Sequence, residues 1–160
     1  MKDKNIEIVF LADCKQHIPY LAQLGYEQIS KHWNPHANID RAIQNYVNHA
    51  HHEKLPLTLV ALQNGQPIGM ASLRENDGIQ PQRTPWLGSL VVDPAFRKQR
   101  VGELLIDAIK QQASNRGYKK LYLLAFDLTI PQWYAKLGWK SIGYDQLYDH
   151  PVEVMEMPLA

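Results

Sequence analysis

The sequence has a single cysteine, no long apolar run and no excess of one charge. Cys14 alone makes no internal disulfide, which is typical of a reducing compartment, and we expect a cytoplasmic protein. No stretch approaches the roughly 18 consecutive apolar residues of a membrane span. Lys and Arg number 17 against 16 Asp and Glu, whereas a nucleic-acid binder needs a basic excess to neutralise phosphates. We therefore expect neither a membrane nor a nucleic acid as a partner.

The length and composition are typical of one globular domain. The chain has 160 residues, 45% of them hydrophobic and 21% charged. A chain of this size buries a sizeable core without disulfides or metal ions. No repeat, low-complexity tract or linker divides it, so we predict a single domain over residues 1–160.

Apolar spacing and turn residues divide the chain into helices and strands. Periodicity and helix-ending residues predict helices over 13–31, 39–50, 101–116 and 131–137. Short apolar runs predict strands over 6–10, 58–62, 67–73, 86–92, 121–126, 140–147 and 152–157. Asn64 and Gly65 predict a tight hairpin turn, because both of its central residues need positive φ. A strand–helix–strand unit inside a hairpin-rich sheet predicts the α/β (α+β) class.

The longest predicted helix begins at Val101 and has one apolar face. The residues of this face, spaced by three and four, are Val101, Leu104, Leu105, Ala108, Ile109 and Ala113. Gly117 stands where a glycine commonly follows a helix. We expect this face, Leu104 and Leu105 included, to pack against the sheet of the same domain.

Three cations, Arg97, Lys98 and Arg100, precede that helix. The backbone N–H groups of a first helical turn have no intrahelical partner, and the helix dipole is positive there. Gly102 has no Cβ, so a ligand can approach the backbone closely. The segment 97–102 therefore predicts an anion site for one or two phosphates. Two competing nucleotide motifs, the Walker A loop and the G-x-G-x-x-G fingerprint, are absent from the sequence.

Two motifs stand one helix and one strand apart in the second half of the chain. The first is the sequence VDP at 92–94 followed by RKQRVG at 97–102, and the second is YAKLGW at 134–139. They resemble the pyrophosphate loop of the GNAT superfamily of N-acetyltransferases, Arg/Gln-x-x-Gly-x-Gly/Ala after V-x-P, and its tyrosine signature before Leu-Gly-aromatic. The resemblance spans residues 57–157.

The resemblance implies a fold, an activity and a set of cofactor contacts. The fold is a central mixed, mostly antiparallel sheet of about six to seven strands with about four flanking helices. The activity is direct transfer of an acetyl group from acetyl-CoA, the cosubstrate, to a primary amine. A backbone N–H near Val91 or Val92 would stabilise the developing oxyanion. The implied cofactor-binding residues are Leu90, Val91, Val92, Arg97, Lys98, Gln99, Arg100, Val101, Gly102 and Asp127.

Arg100 departs from the family pattern, because it stands where the first loop glycine is usual. An arginine is strained if that position needs positive φ. We expect instead that Arg100 already belongs to the first helical turn, where its guanidinium reaches a phosphate without backbone cost.

Tyr134 is the catalytic residue that the resemblance implies. An ordinary tyrosine, with a pKa of about 10, stays protonated at neutral pH and can donate to a thiolate whose thiol has a pKa of about 8.5. The alternative is that Tyr134 only packs in the core beside Trp133 and Leu137.

The sequence defines the general base and the acceptor pocket less well than the cofactor site. The family often places a glutamate on the strand before the loop, but 86–92 contains no carboxylate. One alternative is that Glu27, Glu75 or Asp77 acts as the base through a water molecule. The other is that no base is needed, because a well-positioned neutral amine reacts directly. These carboxylates suit a cationic amine, although each also fits a solvated surface. We expect Trp86 to form a wall of the acceptor pocket, since Pro85 fixes the start of its strand.

Several alternatives stay open. The missing carboxylate and Arg100 are compatible with a catalytically inactive CoA-binding regulatory module, and also with an anion-binding interaction domain. The acceptor is a small-molecule or peptide amine of open identity, and the oligomeric state is open, a dimer included. We expect no metal site: His49, His51 and His52 cluster near a helix end, but zinc needs three or four ligands with supporting contacts.

Overall fold

A computed structural model describes residues 5–159 and arranges them around one seven-stranded sheet. The strands are β1 (Ile6–Phe10), β2 (Leu57–Gln63), β3 (Gln66–Arg74), β4 (Trp86–Val92), β5 (Lys120–Ala125), β6 (Lys140–Leu147) and β7 (His150–Pro158). The helices are α1 (Ile18–Gly25), α2 (Ile39–Asn48), α3 (Val101–Asn115) and α4 (Pro131–Lys136). The strand order is β1-β2-β3-β4-β5-β7-β6. The predicted α/β class and mixed sheet are confirmed.

The first half of the sheet is an antiparallel meander of β1 to β4. Asn64 and Gly65 connect β2 to β3 with φ angles of 52° and 82°. Both values are positive, as the predicted hairpin turn requires, so this prediction is confirmed.

The predicted helix over 13–31 is irregular in the structure. A 3-10 turn, Lys15–His17, leads into α1, and a π-helical segment, Tyr26–Ser30, continues it to a last turn that ends before Asn34. The helical segment thus ends at Trp33, two residues beyond the predicted end at residue 31. A Cβ on Gly25 would lie 3.0 Å from both Met70 Cε and Tyr46 Oη, so glycine lets α1 approach the sheet closely.

The two faces of the sheet bury separate cores. Leu59 and Ala61 of β2 face the core formed with α3, whereas Val60 faces the core formed with α1 and α2. The α3 residues in the first core are Val101, Leu105, Ile106, Ile109 and Ala113. The expectation for Leu104 is wrong, because the helix turns Ile106 to the sheet instead and leaves Leu104 partly exposed. No helix within residues 5–159 is long and apolar enough to cross a membrane.

The junction of β4 and β5 creates the opening in which the candidate site lies. These strands are parallel and pair only at Trp86 and Tyr122. Beyond that pair β4 carries a bulge, with Ser89 at a φ of 52° and a register shift opposite Met70 and Ser72. The strands therefore separate, and α3 provides the crossover between them.

Candidate functional site

Two cavities occupy the gap between β4 and β5 and meet. The loop cavity, about 590 Å³, is bordered by the end of β4, the start of α3 and α4. The wide cavity, about 890 Å³, extends to α2 and the β6–β7 turn. The residues that line both are Gln28, Ile29, Leu90, Ile130 and Tyr134. One elongated cleft therefore crosses this part of the protein, with Tyr134 where its two halves join.

The loop before α3 brings most of the predicted cofactor-binding residues together. The predicted residues that line the loop cavity are Leu90, Val91, Val92, Arg97, Lys98, Arg100, Val101 and Gly102. Gln99 is not among the lining residues. Asp127 lies instead on the wide cavity, just after β5. The loop and the end of β4 thus form one surface.

Arg100 does not belong to the first helical turn, so that expectation is wrong. It is the residue before α3 and adopts a left-handed conformation, with φ 65° and ψ 21°. Its side chain donates from Nε and Nη2 to Glu103 Oε1, at 3.0 and 2.8 Å. Residue 100 has a positive φ because the chain turns sharply here from the loop into α3, and this turn needs positive φ whichever residue stands there.

A comparison of Arg100→Gly with Arg100→Ala measures this backbone strain. Both changes remove the same side chain, but only glycine adopts the left-handed conformation without a Cβ clash. We expect Arg100→Gly to be more stable than Arg100→Ala by about 1 kcal/mol, or roughly 2–4 °C in Tm. Thermal unfolding of both variants checks this, and equal Tm values would contradict a strained Arg100.

Gly102 leaves space at the floor of the loop cavity. A Cβ on this residue would lie 3.4 Å from Trp133 Cη2 and 3.9 Å from Val92 Cγ2, which are ordinary contacts. Arg97 Nη2 donates to Gln28 Oε1 at 2.8 Å and so connects the loop to the π-helical segment. Only a larger side chain than alanine at position 102 would fill the cavity.

Tyr134 is packed in the core and also borders the cleft. Its side chain is 9% exposed, and its ring centroid lies 5.0 Å from that of Trp133 and 5.7 Å from that of Trp139. Burial raises the pKa of the Tyr134 hydroxyl above its ordinary value, so it remains protonated well into alkaline pH. Within residues 5–159 no group hydrogen-bonds to this hydroxyl. The hydroxyl therefore keeps its proton and, with no partner among the described residues, is available to donate to a ligand in the cleft.

An ion pair of Arg74 and Asp77 forms part of the wall of the wide cavity. Arg74 Nη1 donates to Asp77 Oδ1 at 2.7 Å, with the two side chains 24% and 13% exposed. Arg74 also donates to Ser89 Oγ, which accepts from Tyr46 Oη at 3.0 Å. A Cβ on Gly88 would lie 2.8 Å from Arg74 Cζ, so the glycine allows the guanidinium to lie against β4. Sequence reasoning missed Arg74 and Ser89, and the only available signal was the Gly-Ser pair interrupting an apolar strand.

Two other groups that line the wide cavity, His49 and Asp127, have shifted pKa values. Burial, then the charge of Arg74, lowers the pKa of His49 to about 3, so this imidazole is neutral near pH 7. Asp127 accepts from Thr129 Oγ1 at 2.6 Å and from its N–H at 3.0 Å, which lowers the pKa of the carboxyl. Across residues 5–159, no three His, Cys, Asp or Glu side chains come together in an arrangement that could hold a metal ion.

Three of the four predicted acceptor-pocket residues lie outside the cleft. Trp86 is fully buried and its Nε1 donates to the carbonyl of Arg83 at 2.8 Å, so it is a core residue and not a pocket wall. Glu27 is paired with Lys31 at 2.6 Å on the exposed side of its helix. Glu75 is exposed beyond the end of β3. Only Asp77 lines the wide cavity.

The sequence and the fold of the chain are similar to those of known proteins. The chain matches the acetyltransferase (GNAT) family over residues 18–139. No curated protein matches the sequence.

Among solved structures, the chain is similar to an acetyltransferase from Streptococcus agalactiae 2603, with 19% identity, a TM-score of 0.74 and 98% and 99% of the two chains covered. It is also similar to aminoglycoside 6'-acetyltransferase type Ii, at 20% identity and a TM-score of 0.73, with 97% of each chain covered. A third similar structure is an aminoglycoside 6'-N-acetyltransferase complexed with coenzyme A, at 17% identity and a TM-score of 0.70, covering 89% of this chain and 91% of that one.

These structures share the fold, and the family match extends from α1 to Trp139, across both sequence motifs. The resemblance read from the sequence is confirmed. The chain belongs to the GNAT family of acetyltransferases.

Proposed function

We propose that the protein is an acetyl-CoA-dependent N-acetyltransferase that acts on a primary amine. The observation that carries this proposal is the cleft whose two halves meet at Tyr134. A transferase of this kind needs separate places for the acyl donor and the acceptor, and a proton donor between them. The loop cavity is assigned to the donor and the wide cavity to the acceptor.

The loop cavity offers groups that suit coenzyme A. The first N–H groups of α3, with Arg97 and Lys98 beside them, suit a diphosphate. The edge of β4 beyond Trp86 is not paired with β5, so its backbone groups are available to an extended amide-bearing arm. When bound, acetyl-CoA supplies a thioester whose carbon–sulfur bond breaks as the bond to the acceptor nitrogen forms.

The chain supplies donors for the charges that develop in this exchange. Backbone N–H groups at Val91 or Val92 would stabilise the carbonyl oxygen as it becomes negative. The Tyr134 hydroxyl would donate its proton to the departing sulfur and regain one from solvent. The acceptor nitrogen would release its extra proton to solvent as the amide forms. Both groups border the loop cavity, and Tyr134 also borders the acceptor side.

The acceptor reacts from its neutral fraction in this proposal. The carboxylates that line the wide cavity in the described structure are Asp77 and Asp127. Asp77 is paired with Arg74, and Asp127 accepts hydrogen bonds from Thr129. His49 has a pKa of about 3 and is too weak a base for an ammonium group. Positioning of a neutral amine therefore replaces a general base.

Two measurements test the proposed function. Isothermal titration calorimetry with acetyl-CoA distinguishes a CoA-binding protein from an anion-binding domain of another kind. A thiol-release assay across a panel of amines then distinguishes an enzyme from an inactive CoA-binding module. The proposal expects saturable acetyl-CoA binding and amine-dependent thiol release. Binding without thiol release for every amine would support the inactive module instead.

A further inference from the structure

Three aromatic rings form a stack on one side of the wide cavity. The ring centroids of Trp33 and Phe126 lie 5.7 Å apart with planes at 7°, and those of Phe126 and Tyr148 lie 6.4 Å apart with planes at 12°. All three residues line the wide cavity. The ring of His150 packs edge-on with that of Trp33, with the ring centroids 4.6 Å apart, but His150 does not line the cavity. We call Trp33, Phe126 and Tyr148 the aromatic stack. Its three rings present aromatic edges and faces to one side of the cavity.

Tyr148 has a strained backbone conformation at its place in the aromatic stack. Tyr148 and Asp149 are the two residues of the β6–β7 turn, and their φ angles are 54° and 60°. Turns of this geometry favour Asn or Gly, because a larger side chain is strained in the left-handed region. Nevertheless a tyrosine stands there, 44% exposed, with its ring against Phe126. A strained residue on a cavity wall points to recognition of a ligand more than to stability.

The charges of the wide cavity do not suit a polycation. Its charged lining residues are the arginines Arg41 and Arg74 and the aspartates Asp77 and Asp127. Arg74 and Asp77 neutralise each other in an ion pair. Glu27 and Glu75, which would have made the pocket acidic, lie outside the lining. An acceptor with several ammonium groups would find no excess of negative charge here.

From the aromatic stack, the strained turn and the balanced charge, we propose that the acceptor is a monoamine carrying an aromatic ring. The inference rests on the proposed function and names the substrate class of the same cleft. The ring packs on the aromatic stack, in the offset or edge-on geometry that aromatic pairs prefer. The amine then extends toward Tyr134, which lines the same cavity and also the loop cavity. Tyr148 is a specificity residue in this arrangement, because removing it changes the acceptor surface and leaves the loop cavity intact.

The test compares 2-phenylethylamine with n-butylamine, spermidine and kanamycin in the thiol-release assay. We expect kcat/KM for 2-phenylethylamine to exceed that of each other amine by about tenfold, as one aromatic contact provides. A preference for spermidine or kanamycin would overturn the substrate class and leave the proposed function standing. Binding of 2-phenylethylamine measured by calorimetry in the presence of CoA is a second readout, independent of turnover. If acetyl-CoA does not bind, the proposed function itself fails, and this readout still decides whether the cavity takes an aromatic amine.

Tyr148→Asn is the matched variant, because asparagine tolerates the left-handed turn while lacking the ring. We expect the variant to fold with an unchanged or higher Tm, and its KM for 2-phenylethylamine to rise about tenfold with the KM for acetyl-CoA unchanged. The control is Tyr144→Thr, which removes a 68% exposed ring from β6, outside both cavities. The control should behave as the wild type. Equal acceptor KM values in Tyr148→Asn and Tyr144→Thr would overturn the role of the stack.

Discussion

Tyr134→Phe is expected to lower kcat by about two to three orders of magnitude, the usual contribution of a positioned proton donor. The substitution removes one oxygen and keeps the ring, which contacts Trp133 and Trp139. The affinity for acetyl-CoA should therefore stay within about twofold, since the residues assigned to the diphosphate lie in the loop before α3 and at its start. Steady-state thiol release and calorimetry with acetyl-CoA measure the two quantities separately.

The pH dependence of the wild type provides a second check on the same residue. Burial raises the pKa of the Tyr134 hydroxyl, so the protonated form persists below this raised value. Turnover should therefore rise with the neutral fraction of the amine and show no fall near pH 10, where an ordinary tyrosine ionises. Tyr144→Phe is the control, because Tyr144 is exposed on β6 and lines neither cavity. If both variants keep wild-type turnover, Tyr134 is a packing residue only.

The local parts of this structure follow directly from local sequence signals. The Asn64-Gly65 turn needs only two residues with positive φ, and the sequence contains them in order. The buried face of α3 follows from apolar spacing, apart from its rotation toward Ile106 and away from Leu104. The part of the loop cavity within 90–103 could be located for the same reason, since its residues lie close together along the chain. The other lining residues, from 28–29 and 129–134, join it only in the folded structure.

The wide cavity could not be predicted from the sequence, because its residues are far apart in the chain. Arg74 and Ser89 meet only after β3 and β4 pair across a bulge. Phe126 follows β5 and Tyr148 lies in the β6–β7 turn, and no spacing along the chain relates them to Trp33. Tertiary pairing of strands decides such contacts, and a single sequence carries no signal for it.

The incorrect expectations have a common physical origin. Glu27 and Trp86 were assigned by residue type, as a carboxylate and an aromatic that would suit an amine pocket. In the structure, Glu27 has a lysine one helical turn away, at Lys31, and pairs with it on the surface. Trp86 begins β4 at the only pair with β5, where the sheet is closed and both faces are covered. Residue type alone does not tell which side of a helix or strand faces a cleft.

Gly102→Leu is expected to weaken acetyl-CoA binding about a hundredfold, the cost of overfilling a packed site by roughly 3 kcal/mol. Gly102 lines the loop cavity on the first turn of α3, and a Cβ there already contacts Trp133 at 3.4 Å. The additional atoms of leucine have no space except the cavity itself. Leucine is a better helix former than glycine, so the Tm of the protein without ligand should not fall.

Gly102→Ala is the matched control for this variant, because its single added carbon makes only ordinary contacts. We expect its affinity for acetyl-CoA to fall by less than about tenfold. Acetyl-CoA should still raise its Tm, because a ligand that binds only the folded state stabilises that state. Calorimetry with acetyl-CoA, and thermal unfolding with and without it, compare both variants with the wild type. A leucine variant that bound acetyl-CoA as tightly as the alanine variant would place the diphosphate outside the loop cavity. The donor is assigned to the loop cavity because the backbone N–H groups of the first turn of α3 and the cations Arg97 and Lys98 lie there. If the diphosphate does not bind at this turn, that assignment is wrong.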